Sequence, residues 1–161
     1  MKIQYSFLKN FLDTKFSQNR LVDVFTQVGF ECESDRDLIE FDVTPNRGDV
    51  LSLKGLEREF HAYQAKKTNR KLETTKLSLI KDRKIINQID DSGCGNYHLM
   101  LVKGLQKIKN LDAKKRNFID SAGIPLIHPL VDLGNYVMLE IGAPMHVFDP
   151  VSYTHLTLPT K

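Results

Sequence analysis

The sequence predicts an α+β protein, and three observations carry that prediction. Apolar residues recur at helical spacing in several stretches, among them Leu21, Val24, Phe25 and Val28, and later Leu130, Leu133, Val137 and Ile141. Ile39, Phe41 and Val43 instead alternate with Glu40 and Asp42, the period of a half-buried strand. From about Leu72 onward the order reads strand, strand, helix, helix, strand, which belongs to an α+β arrangement.

Phe7, Leu8, Phe11 and Leu12 make a first short amphipathic helix. Ser17 supplies an N-cap for a second, and Gly29 ends it. The strand at Ile39–Val43, one member of a short strand pair, is terminated by Pro45. Asp49 is expected to cap a third helix that buries Leu53, Leu56, Phe60 and Tyr63. Its basic end, Lys66-Lys67-Thr68-Asn69-Arg70-Lys71, frays into a connection. The expected division is therefore a small three-helix unit over 1–70, a linker over 71–76 and a second α+β portion over 77–150.

In that second portion Leu77–Ile80 reads as an edge strand, Asp91-Ser92-Gly93 as a turn, and Tyr97–Val102 as a buried strand stopped by Gly104. Asn110 is expected to cap a helix turning Leu111, the Lys115 stem, Phe118, Ile119 and Ala122 inward, with Gly123 at its end. The next helix starts just after Pro129 and stops at Gly142. Ala143-Pro144 then forces an extended or turn conformation, because proline fixes its own φ and biases its predecessor away from the α region. His146 is thereby carried on a short non-helical segment leaving a rigid helix stop, which can aim an imidazole into a cleft. A packing role is the competing reading for a single histidine.

Composition narrows the function classes. The chain has 161 residues, 41% hydrophobic and 27% charged, which suits one moderate domain or two small ones. No apolar run approaches the roughly 18 residues that cross a bilayer, and the mixed segment after Lys2 does not read as a signal peptide. Cys32 and Cys94 lie in no CxxC pattern, so reduced thiols are the expectation. A formal charge of +3 is too small to argue for nucleic acid by itself. His61, His98 and His128 show no metal-site spacing and read as surface or packing residues. The sequence also offers no glycine-rich phosphate loop.

Two motifs are more specific. The first is Phe41-Asp42-Val43-Thr44-Pro45-Asn46-Arg47-Gly48-Asp49, in which proline presets a turn and Arg47 and Asp49 stand close enough to pair across it. Arg47 has a second reading, a contact to RNA phosphates. The other motif runs Asp132-x-x-Asn135-Tyr136-Val137-Met138-Leu139-Glu140-x-Gly142-x-Pro144-Met145-His146-x-Phe148-Asp149. This string closely resembles the signature of the B3/B4 domain in the β subunit of bacterial phenylalanine–tRNA ligase. Thr44, Pro45, Asn46, Arg47 and Asp49 are similar to the stretch that closes the amino-terminal B1 domain of that family.

The resemblance covers Met1 to Asp149 and implies a B1-like domain followed by the first part of B3/B4. Residues 151–161 resemble an in-frame translation of a sequencing-library adapter and are set aside from fold reasoning. The native reading frame is then expected to continue past Asp149. Most bacterial members insert a tRNA-binding OB-fold of about a hundred residues between the second helix and the following strand. Here only Glu31–Leu38 lies between them, too little for a five-stranded barrel.

By resemblance, the B3/B4 cleft hydrolyses tyrosine from mischarged tRNA, a task that exists because an apolar pocket rejects an added hydroxyl by only about a hundredfold. His146 corresponds to the histidine of that cleft, with Asn135 and Met145 in its neighbourhood. Three positions depart from the family, since Pro125, Asn96 and Met100 stand where arginine is usual, and none of them offers a planar fork of donors. Weak or absent tyrosine editing is the expectation. The resemblance further implies a cytoplasmic α2β2 enzyme that joins phenylalanine to tRNA(Phe) with ATP and Mg2+, its synthetic site on the α subunit. No cofactor is expected on this part, and it has no membrane role. The alternative is a noncatalytic structural or RNA-interaction module derived from the β subunit.

Overall fold

The computed structural model describes residues 1–65, 102, 105 and 108–149. In chain order these form strand β1 (Lys2–Gln4), helix α1 (Tyr5–Phe11), helix α2 (Gln18–Gln27), strand β2 (Glu31–Asp35), strand β3 (Leu38–Asp42), helix α3 (Leu53–Tyr63), helix α4 (Ala113–Ser121) and helix α5 (Pro129–Ile141). A 3-10 turn at Gly48–Val50 precedes α3. The mixture of helices with an antiparallel sheet is α+β.

The sheet has three strands in the order β1-β3-β2, where the sequence suggested a pair. Ile3 stands opposite Ile39, and Cys32 opposite Phe41. Ile39 and Phe41 are buried while Glu40 and Asp42 are exposed, so the alternation in β3 has the anticipated sense. β1 is three residues long, too short to show a period. β2 carries exposed Glu31, Glu33, Ser34 and Asp35 around a half-buried Cys32, and charged side chains are how an exposed edge strand resists further pairing. Its position comes from backbone pairing with β3 rather than from an apolar face.

Phe25 lies at the centre of the core, with its ring edge-on to Phe41 at 5.0 Å and tilted against Phe60 at 6.3 Å. Ile3, Leu8, Leu21, Val24, Ile39, Val50, Leu53 and Leu56 close around these rings, each wholly buried. Every such side chain contributes roughly 1.5–3 kcal/mol by leaving water. Helix α4 joins the same core: Phe118 stacks on Phe7 with centroids 4.5 Å apart and ring planes 5° from parallel. Met1–Asn69 and Ile108–Val147 accordingly make one compact unit, so α4 and α5 pack with the amino-terminal helices although the sequence division put them in the 77–150 portion. A second unit comprises Arg70–Lys107 and Phe148–Lys161. The linker expected at 71–76, the strand at 77–80, the turn at 91–93, residues 151–161 and all of the 97–102 strand except Val102 lie outside the described residues.

Helix ends show where local chemistry was misread. The Ser17 hydroxyl accepts from the Arg20 amide at 3.3 Å, as expected. Helix α3, however, is capped by Ser52, whose hydroxyl accepts from the Gly55 amide at 3.1 Å. Asp49 is not its cap because the 3-10 turn intervenes and arginines occupy its carboxylate. Asp112, not Asn110, caps α4, accepting from the Lys115 amide at 3.0 Å. The predicted stripe on α5 also fails, since Leu133 is 44% and Ile141 47% exposed while Asp132, Gly134 and Leu139 are the buried positions. A helix with apolar side chains on several faces has no unique face to read from spacing.

Candidate functional site

The turn motif forms a closed charge network. The Thr44 carbonyl accepts from the Arg47 amide at 2.9 Å, which tightens the chain around exposed Pro45 and Asn46. The Arg47 guanidinium then donates to both oxygens of Asp49, at 3.0 and 3.1 Å, and to Glu59 on α3 at 2.8 Å. Arg58 completes the group by pairing with Asp49 and, at 3.3 Å, with Glu59. The face of the Phe30 ring lies 5.3 Å below the Arg47 guanidinium. Hydrogen bonding to Arg47 holds the Asp49 carboxyl below the usual range, with Arg58 adding to it, and raises Arg47 in return. These pairs are partly exposed, so each fixes geometry more than it stabilises.

Steric fit locks this turn to α3. A Cβ on Gly55 would lie 2.1 Å from the Asp49 carbonyl oxygen and 2.7 Å from the Val50 Cα, so only glycine allows the first turn of α3 to pack against the 3-10 turn.

The second motif begins with the start of α5. The His128 imidazole caps it, its Nδ1 accepting from the Leu130 amide at 3.3 Å, while the buried Asp132 carboxylate accepts from the Ile127 amide at 2.9 Å. Tyr136 is half-buried, its ring edge-on to Phe118 at 6.2 Å with the Lys115 ammonium 5.6 Å from its centroid. Burial first, and then a hydrogen bond with Glu140, push its phenol above the ordinary value.

At the far end Gly142 adopts φ +79°, a left-handed conformation that suits glycine, and its amide donates to the Met138 carbonyl at 2.8 Å. An added Cβ there would also meet the Ser52 Oγ at 3.2 Å and Cβ at 3.3 Å. The cap of α3, three residues beyond the turn motif, thus stands against the stop of α5. Beyond Gly142 the chain runs back along its own helix. Met145 and Val147 lie beside Gly134, their atoms 3.9 and 3.8 Å from where its Cβ would be.

Among the sequence-predicted residues, Met145 and exposed His146 share this returning segment, and half-buried Asn135 follows Gly134 on the helix beside it. Pro125 is exposed between α4 and α5, whereas Asn96 and Met100 lie outside the described residues. A depression of about 400 Å³ on the sheet is lined by Met1, Glu31, Glu33, Glu40, Phe41 and Asp42, and by none of the predicted site residues. Among the described residues no three His, Cys, Asp or Glu side chains gather to hold a metal ion. Burial pushes the Cys32 thiol up to about 12, against a smaller opposing effect of the amino terminus, which keeps it protonated and unreactive at neutral pH. Ser52, Gly55 and Gly134 were not singled out by sequence reasoning. Their importance is steric, and spacing carries no record of which backbone comes close.

The Gly-x-Pro-Met-His-x-Phe-Asp string thus follows directly on the helix stop, and it lies within a match to a known domain family. The family model described as B3/4 domain matches residues 93–157, running into the stretch that begins at Val151. The chain belongs to the family of phenylalanine–tRNA ligase β subunits. It is 34% identical to the β subunit from Pseudoalteromonas translucida over 71% of this chain and 14% of that protein. It is 39% identical to the one from Neisseria gonorrhoeae over 70% of this chain and 14% of that protein. With the Rhodopirellula baltica subunit the identity is 30% over 92% of this chain and 23% of that protein. This last alignment spans 163 residues, which leaves no room for an inserted OB-fold. No solved structure matches. The chain spans between 14% and 23% of the length of these relatives.

Proposed function

We propose that the chain contributes scaffold and a degenerate tyrosine-editing cleft to the β subunit of phenylalanine–tRNA ligase. The whole enzyme would join phenylalanine to tRNA(Phe) in the cytoplasm with ATP and Mg2+, in an α2β2 assembly with the α subunit. The observation that carries this reading is that the turn motif and Asp132–Val147 of the second motif belong to one compact unit, with Ser52, three residues after the turn motif, against Gly142. Alignment to β subunits over 70–92% of the chain supports it. β2 follows α2 directly through Val28, Gly29 and Phe30, so tRNA contacts would come from other parts of the enzyme than an OB-fold at this point.

Arg47 serves the turn in this reading, its Nε and one Nη donating to Asp49 and Glu59. His146, with Asn135 and Met145 nearby, would face the mischarged ester. Pro125, Asn96 and Met100 leave that cleft without the bidentate donors arginine would supply, so deacylation of tyrosyl-tRNA is expected to be slow or absent. The test is purification of the complete β subunit with its α partner. ATP-dependent charging of tRNA(Phe) is the expected result, and a complex that binds tRNA without charging it would overturn the ligase reading in favour of the noncatalytic module. Tyrosyl-tRNA deacylation at the rate of arginine-bearing bacterial enzymes would overturn the degenerate cleft.

A further inference from the structure

We propose that Ser52 is a positioning residue for His146, acting through Gly142. For its functional meaning this rests on the reading that the His146 segment lines an editing cleft; the positioning itself rests on geometry alone. Ser52 is 2% exposed and already has a task, capping α3 through the Gly55 amide. The same side chain is the wall against which Gly142 turns, at 3.2 and 3.3 Å from the site of a Cβ there. Four residues beyond that turn stands His146, on a segment whose other anchor is Gly134 beneath Met145 and Val147. His146 stands between Met145 and Val147 on that segment and is exposed. Ser52 and Gly134 therefore both bear on the path of the segment, and the first belongs to the start of α3, three residues beyond the amino-terminal motif.

Capping and positioning can be separated because glycine is a tolerable N-cap and alanine a poor one. Ser52→Ala removes the hydroxyl but keeps the Cβ wall, whereas Ser52→Gly nearly preserves the cap and removes the wall. If Ser52 only caps α3, the alanine variant is the more damaging by every measure. If it positions His146, the two orders cross. In the full chain labelled with 15N-histidine, Ser52→Gly is expected to move the His146 ring resonances more than Ser52→Ala, while Ser52→Ala lowers the melting temperature more. Unmoved His146 signals in Ser52→Gly, or shifts that simply follow the melting temperature, would overturn the proposal.

The complete ligase adds an activity arm that keeps the two ideas apart. Residual tyrosyl-tRNA deacylation in Ser52→Gly should lose about tenfold to a hundredfold in kcat with KM and phenylalanine charging unchanged, the effect of a displacement on the order of 1 Å. His146 resonances that move while a measurable deacylation stays constant would support the positioning role and overturn the editing reading. A deacylation lost in His146→Ala but untouched in Ser52→Gly, with unmoved resonances, would do the reverse.

Discussion

The two family motifs flank the contact between the α3 cap and the α5 stop, yet they are built on opposite plans. Around Arg47 the charges pair with one another, two arginines with an aspartate and a glutamate, and the backbone beneath is so close that Gly55 admits no Cβ. Along Gly142–Val147 the chain is exposed. Met145 is 50% and Val147 44% exposed, and a Cβ added at Gly134 beneath them would meet them only at ordinary van der Waals distance. A motif can be retained because it holds a chain together or because it presents a side chain, and the packing distances tell the two cases apart. The turn is architecture; the segment after α5 is presentation resting on that architecture.

Substitutions that add one methyl group sharpen the contrast. Gly55→Ala should have the largest effect, about 3 kcal/mol or more, since backbone on both sides would have to move. Urea unfolding reads this as a drop in midpoint. Gly142→Ala should cost about 1–2 kcal/mol, combining a positive φ with crowding at Ser52, by the same measurement. Gly134→Ala meets its neighbours only at 3.8 and 3.9 Å and should change stability by less than about 1 kcal/mol. Were Gly134→Ala as damaging as Gly55→Ala, the distinction between the regions would be gone.

The smallest effect concerns pH. The Asp49 carboxyl is held below its ordinary value in the folded chain, so the unfolded chain binds the proton more readily. The network's contribution is then present above the unfolded value near 4 and fades as pH falls through the folded one. Thermal melts between about pH 5 and pH 3 should show a modest decline that is shallower in Asp49→Asn and shallower at high salt.

What the sequence revealed divides along the same line. Local features were readable: the buried spacing of Leu21, Val24 and Phe25, the Ser17 cap, the alternation through Ile39 and Phe41, the Arg47–Asp49 pair and the Gly142 stop all depend on residues within a few positions of each other. Features made by distant backbone were not. β1 and β2 exist through their register with β3, and α4 docks by stacking Phe118 on Phe7 and burying Ile119 in the core. Asp49 and Ser52 are both good capping residues, and the 3-10 turn and the arginines on the Asp49 carboxylate, which spacing does not show, leave the cap of α3 to Ser52. At the candidate site the sequence named His146, Asn135 and Met145 by resemblance, but gave no sign that Ser52 and Gly134 set the path of the segment.

The contact between the α3 cap and the α5 stop can be measured directly with a double-mutant cycle on Ser52 and Gly142, read by urea unfolding of the chain. Removing the Ser52 wall should make room for a Cβ, so Gly142→Ala should cost less by about 0.5–1 kcal/mol in the Ser52→Gly background than alone. Strictly additive losses would mean that the two residues do not touch in solution, and would contradict the single scaffold on which the account stands.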